Sequence, residues 1–262
     1  MSEVVTSVAR VRYESIGTGT PVLALHGAYS AHQEVRAFLD PVLPERRRIY
    51  PDLPGHGSST AEGVHTAADA VTALEELLEG TIGDEPVAVV GHSFGAHLAR
   101  GLAARRPDQV RGLALVCPMV PDDMHEEQPT VVTDDGVAAT LPPEQAAEFT
   151  GYFVVRTSST VARFREAVAP VLGRYDGDAV ERQMTSWQHD PDPSDVPFAH
   201  PVLLLAGRHD AFVGHRQQTA LLEAYPRATS IVLADAGHAL PHEQPEALAS
   251  AIGRWIRCTD SH

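Results

Sequence analysis

Three short segments of the chain carry residue types that could do nucleophilic chemistry together. The first is Gly91-His-Ser-Phe-Gly95, a G-x-S-x-G pattern. Alone the pattern is weak, but here it directly follows an apolar run at residues 87–90 and opens a helical pattern near Phe94. A strand that turns sharply into a helix needs glycines where a Cβ would collide, and it leaves the serine hydroxyl exposed. Ser93 is therefore the candidate nucleophile. A serine hydroxyl is a poor nucleophile until a base takes its proton. Among 14 histidines, His238 has the position for that base, at the end of Asp235-Ala-Gly-His238, a loop just past the last apolar run. Sheets of this kind place their sites at the carboxyl ends of strands. Asp210, in Gly207-Arg-His-Asp210, follows the apolar run 202–206 in the same way and would hold the imidazole in the productive tautomer. Asp122 and Asp123, beyond the run 113–116, are the alternative acids. An oxyanion hole is expected from two backbone N–H groups, those of Ala28 and Phe94. Ala28 ends His26-Gly-Ala28, which follows the run 22–25, and His26 and Gly27 would shape that loop.

The elements that must position these residues can be read from periodicity. The first fifteen residues alternate, with Ala9, Val11 and Tyr13 on one side and Arg10, Arg12 and Glu14 on the other, as in a half-buried strand. The continuous apolar runs at 22–25, 87–90, 113–116 and 202–206, and a weaker one at 230–233, suit strands covered on both faces. Helical patterns lie between several of them, at 66–78 with Thr66 as N-cap, at 94–106 stopped by Pro107, and at 245–257 with Pro245 near its start. Buried strands alternating with helices imply an α/β fold, a mostly parallel sheet with helices on both faces. The alternation breaks once, from Met119 to Ala199, where acidic and proline-rich stretches alternate with amphipathic pieces around Phe149, Phe153, Phe164, Val168 and Trp187. Residues 119–199 are expected to be a helical insertion into a core made of residues 1–118 and 200–262.

Composition narrows the function classes. The 262 residues carry a formal net charge of −15, which argues against binding to nucleic acid or to an anionic membrane. There is no lysine, so Schiff-base and phosphate-loop lysine chemistry is excluded. With two cysteines, Cys117 and Cys258, no disulfide framework is expected, and Cys117 reads as a packed thiol. No H-E-x-x-H or C-x-x-C spacing accompanies the other histidines (His92, His97, His209, His215, His242), so neither a metal nor a cofactor is expected. The start lacks an apolar signal segment and no run is long enough to span a bilayer, so a soluble, cytoplasmic protein acting on a small molecule is expected.

Four segments together resemble the α/β-hydrolase superfamily, and within it the capped esterase, lactonase and C–C hydrolase group. They are LALHGA (23–28), DLPGHGSS (52–59), GHSFG (91–95), and the pair GRHDAFV (207–213) and DAGH (235–238). The resemblance implies an α/β-hydrolase fold, a Ser93–His238–Asp210 triad on a nucleophile elbow, and an insertion that caps the site and sets substrate choice. Haloalkane dehalogenases and epoxide hydrolases resemble the same pattern but use an aspartate where this chain has Ser93. The expected activity is cleavage of a small, largely apolar ester or lactone. Carbon–carbon hydrolysis, thioesterase or perhydrolase chemistry on the same triad, and a ligand-sensing receptor with this fold, are the alternatives. Met119, Met124, Tyr152 and Met184, with the aromatic residues above, are the candidate pocket or packing residues of the insertion, and its acidic side chains (Asp122, Asp123, Glu126, Glu127, Asp134, Asp135) disfavour polyanionic substrates.

Overall fold

The apolar runs form one eight-stranded sheet. In the computed structural model, which describes residues 1–120 and 130–260, the chain runs through β1 (Ser2–Val5), β2 (Arg10–Ile16), β3 (Pro21–Leu25), α1 (His32–Leu39), β4 (Arg47–Pro51), α2 (Ala67–Ile82), β5 (Val87–His92), α3 (Phe94–Arg105) and β6 (Val110–Val116). The insertion follows, with β7 (Thr133–Asp134), α4 (Pro143–Tyr152), β8 (Val155–Arg156), α5 (Ser158–Arg163) and α6 (Gly177–Thr185). The chain then returns through β9 (Val202–Gly207), α7 (His215–Ala220), β10 (Ala228–Leu233), α8 (Leu240–Glu243) and α9 (Pro245–Thr259). The sheet order is β1-β2-β4-β3-β5-β6-β9-β10. The pairs β1–β2 and β2–β4 are antiparallel, and every later neighbour pair is parallel.

Successive side chains of the central strands enter opposite layers, which is why these strands read as unbroken apolar runs. Leu23, Leu25, Val89, Leu113 and Leu115 pack with Val71, Leu74 and Leu78 of α2 and with Leu98 and Leu102 of α3. Val22, Ala24, Val90, Ala114, Leu203 and Leu205 pack with Val35 and Leu39 of α1 and with Leu248, Ile252 and Trp255 of α9. Helix α2 begins with a reciprocal cap. The Thr66 hydroxyl accepts from the Asp69 N–H at 3.1 Å and the Asp69 carboxylate accepts from the Thr66 N–H at 3.0 Å, a cap of about 1 kcal/mol.

Several elements differ from the sequence reading. The first fifteen residues, expected as one strand, form the antiparallel pair β1 and β2, and strands β4, β7 and β8 and helices α1, α7 and α8 were not expected. In β4, Arg47 and Arg48 interrupt the apolar pattern, yet the Arg48 guanidinium is buried and paired, donating to the Asp40 carboxylate at 2.9 Å and to the Leu43 carbonyl at 2.6 Å. Helix α1 starts at Ala31 with no side-chain cap, so it lacks the usual start signal.

The elements of the insertion stay out of the main sheet; β7 and β8 pair with each other. Leu141, Phe149, Phe153, Val161, Phe164 and Val168 form a separate small core that touches Ala239. Phe149 and Phe153 stack at 4.7 Å between ring centroids. These phenylalanines are therefore packing residues, and Met184 and Trp187 pack against the main core beside α2 and α3. Asp122, Asp123, Met124, Glu126 and Glu127 lie outside the described residues. Among the described residues, no helix is long and apolar enough to cross a membrane.

Candidate active site

Ser93 sits between the end of β5 and the start of α3 with φ +52° and ψ −116°. That region is strained for a residue with a Cβ, costing about 1–3 kcal/mol, so the surroundings must hold it. The Ser93 N–H donates to the Val116 carbonyl at 3.0 Å, and the Ser93 carbonyl accepts from the N–H groups of Ala96, His97 and Met119 at 3.0, 3.2 and 3.1 Å. The flanking glycines are required by space. A Cβ on Gly91 would lie 2.5 Å from the Gly95 carbonyl oxygen, and one on Gly95 would collide with the carbonyls of Leu25 and His26.

The three residues singled out from the sequence meet in one hydrogen-bonded chain. His238 Nε2 lies 2.9 Å from Ser93 Oγ, and His238 Nδ1 lies 2.8 Å from Asp210 Oδ2. Asp210 is buried, and its other contacts are all donors: Gln218 Nε2 at 2.7 Å, the Phe212 N–H at 3.0 Å and the Val213 N–H at 3.2 Å. Burial alone would raise the Asp210 carboxyl, but the adjacent imidazole and these donors outweigh it and hold the group down at about 2. An ionised carboxylate only accepts, so the imidazole proton belongs on Nδ1 and Nε2 faces the serine as an acceptor. The ring of Phe212 lies 5.0 Å and that of Tyr152 6.1 Å from the His238 ring, centroid to centroid.

The loop carrying Ala28 runs directly beside the serine; a Cβ on Gly27 would lie 3.3 Å from Ser93 Cβ. His26 shapes that loop. Its Nδ1–H donates to the Gly27 carbonyl at 2.7 Å while Nε2 accepts the Leu53 N–H at 2.9 Å, and burial lowers its pKa, keeping it neutral. Phe94 opens α3, where backbone N–H groups lack an intrahelical acceptor. In the DLPGHGSS segment the Asp52 carboxylate accepts the His32 N–H at 3.1 Å, His32 Nδ1–H at 2.7 Å and the Ser58 N–H at 2.9 Å, fixing the adjacent turn to α1.

Several residues around the chain escaped the sequence reading. The Glu243 carboxylate accepts the N–H groups of Val154 and Val155 in the insertion at 2.6 and 3.0 Å and that of Gly237, beside His238, at 2.6 Å. Glu34 is buried and accepts from Ser30, from His242 Nε2 at 3.1 Å and from the Tyr152 hydroxyl at 3.2 Å. Burial pushes the Glu34 carboxyl up, but His242 and its other partners hold it at about 2. His92 donates from Nε2 to the His238 carbonyl at 3.2 Å, and burial brings its pKa down to about 4.

The sequence profile of the Alpha/beta hydrolase family matches residues 22–251. The chain belongs to the α/β-hydrolase family. It is 46% identical over 99 residues to the lipase LipV of Mycobacterium tuberculosis, a match that spans 38% of this chain and 37% of that lipase. It is 22% identical over 250 residues to the esterase YbfF of Escherichia coli, covering 90% of this chain and 93% of that esterase. An α/β superfamily hydrolase from Oenococcus oeni superposes with a TM-score of 0.88 at 25% identity, covering 99% of this chain and all (100%) of that one. A haloalkane dehalogenase of Mesorhizobium japonicum is also similar, 26% identical over 267 residues covering 93% of this chain and 86% of that protein. This α/β hydrolase thus has esterases, a lipase and a dehalogenase among its relatives, and residue 93 at the turn from β5 to α3 is a serine.

Proposed function

We propose that the protein is a serine hydrolase that cleaves a small, largely apolar carboxylic ester or lactone through an acyl-enzyme on Ser93. The carrying observation is the unbroken chain from Ser93 Oγ to His238 at 2.9 Å and from His238 to Asp210 at 2.8 Å. As Ser93 Oγ attacks the carbonyl carbon, its proton passes to His238 Nε2, and Asp210 stabilises the imidazolium. The N–H groups of Ala28 and Phe94 donate to the developing oxyanion. Collapse of the tetrahedral intermediate expels the alkoxide, which takes the proton from His238; water then gives a proton to His238 and attacks the acyl carbon, and collapse of the second intermediate returns that proton to Ser93 Oγ and frees the acid. Residues 119–199 act as a cap over this site, a reading supported by Tyr152 of α4 standing edge-on to the His238 ring. With Phe212 on another side, the reacting carbonyl has aromatic neighbours, which favours an apolar substrate.

The test is labelling with a serine-reactive fluorophosphonate followed by peptide mapping. Label on Ser93, lost in Ser93→Ala, supports the reading; absence of label, or label elsewhere, overturns it. Hydrolysis of short p-nitrophenyl esters beside a β-diketone and an acyl thioester then separates ester cleavage from C–C and thioester chemistry. Turnover well beyond one product per protein molecule rejects a receptor role.

A further inference from the structure

Behind the imidazole lies a third polar atom that the proposed hydrolysis does not use. Cys117 follows β6 with φ +43°, its N–H donating to the Leu205 carbonyl at 2.8 Å. Its Sγ, a carboxylate oxygen of Asp210 and a ring nitrogen of His238 lie within 4.8 Å of one another, and all three residues are buried. We propose that Cys117, Asp210 and His238 form an inhibitory site for a thiophilic divalent cation of the zinc or cadmium class. The inference rests on the triad reading above, because the ion would act by disabling the base of that triad.

The donor chemistry selects the ion. A thiolate, an imidazole nitrogen and a carboxylate oxygen are the ligands zinc takes in tetrahedral sites, whereas magnesium and calcium want an all-oxygen shell. Charge also balances, since one thiolate and one carboxylate neutralise a divalent ion, and no net charge is left in a buried place. His238 Nε2 is engaged with Ser93 at 2.9 Å, so the ligating nitrogen is Nδ1, already 2.8 Å from Asp210 Oδ2. Around a tetrahedral zinc, nitrogen and oxygen donors stand about 3.3 Å apart, so the pair must open by roughly half an ångström.

The consequence for the base follows from proton bookkeeping. The ion displaces the thiol proton to solvent, and the imidazole proton moves from Nδ1 to Nε2. The imidazole stays neutral, but Nε2 is now a donor and cannot take the proton of Ser93 Oγ. The ion locks the unproductive tautomer without touching the nucleophile. Because the three donors are buried, onset is slow and the inhibition is time-dependent.

The experiment uses the full chain with Cys258→Ser as background, since Cys258 is the exposed free thiol. Cadmium is titrated while the ultraviolet thiolate-to-cadmium charge-transfer band is followed. A band saturating at one ion per chain is expected, and none in Cys117→Ala or the volume-conserving Cys117→Ser, which leave this background without a thiol; zinc affinity, read by competition with a metallochromic dye, should fall at least roughly tenfold in both. Ser93→Ala should retain the band. Fluorophosphonate labelling of Ser93 should slow at least roughly tenfold with zinc, recover on chelation, and resist zinc in Cys117→Ala. Absence of the band, unchanged zinc affinity in both Cys117 variants, or equal zinc sensitivity of labelling in those variants overturns the proposal. Protein that labels at Ser93 when metal-free but shows no band on cadmium titration would end the metal site and leave the triad standing. A band without any metal-free labelling would end the triad reading and keep the donor cluster.

Discussion

At the residue scale, the proposed chemistry depends on which way protons point. Asp210 is surrounded by donors: His238 Nδ1, Gln218 Nε2 and two backbone N–H groups. Asp210→Asn must turn an NH₂ toward at least one of them, so the imidazole either loses its orienting acceptor or adopts the wrong tautomer. We expect kcat to fall by on the order of 10³–10⁴-fold on a p-nitrophenyl ester; a loss under tenfold would argue against the role. Ser93→Ala should lose about 10³-fold or more on the same assay. That Ser93, His238 and Asp210 would be brought together was legible because each lies just past an apolar strand run, with a glycine within three residues before it. Gln218 was not legible. It stands eight positions beyond Asp210 in α7, and a glutamine on a short helix looks like a solvent-facing residue until the fold turns it onto the carboxylate.

At the element scale, Glu243 ties three strands of the story together. Its carboxylate spans α8, the loop before His238 and β8 of the insertion. Glu243→Ala would strand two buried N–H groups, each costing about 1–3 kcal/mol, and the half-buried one of Val155. A drop in Tm of roughly 6 °C or more is expected, together with lower kcat because Gly237 no longer anchors the histidine loop. Glu243→Gln, which keeps one acceptor oxygen, should recover part of both; an unchanged Tm in Glu243→Ala would refute the account. The sequence carried no sign of this clip, because a glutamate in Pro241-His-Glu-Gln-Pro245 reads as the surface of a helix start. The parallel strands and the helices α2, α3 and α9 were legible for the opposite reason: their periodicity is imposed by two apolar layers. Strand β4 was hidden because the arginines that open it are charged, and only the tertiary partners of Arg48 show how a charge is accommodated there.

At the scale of the whole molecule, buried neutral histidines set the acid limit. His97 and His189 stack at 4.2 Å, and each Nδ1 lacks a partner among the described residues. Burial holds His97 well below its ordinary 6.5, and burial lowers His189 and His92 to about 4. When the folded pKa is depressed, the unfolded chain binds the proton first, so stability is intact above 6.5 and is lost as pH falls from there toward 4. By about pH 5.5 the buried His92 alone should have cost on the order of 1 kcal/mol, and the buried His97 adds to the loss in the same direction. Thermal unfolding followed from pH 7 to 4.5 should show this decline, with a shallower slope in His189→Gln; a flat profile would refute it. The hydrogen-bonded chain itself joins residues 145 and 28 positions apart in sequence, each on a different strand crossover. No fragment of the polypeptide can assemble it locally, because the sheet must close from β5 to β10 before the three side chains meet. In a refolding experiment, recovery of Ser93 reactivity is therefore a clock for the slow, long-range part of folding, and it should lag the return of helix signal.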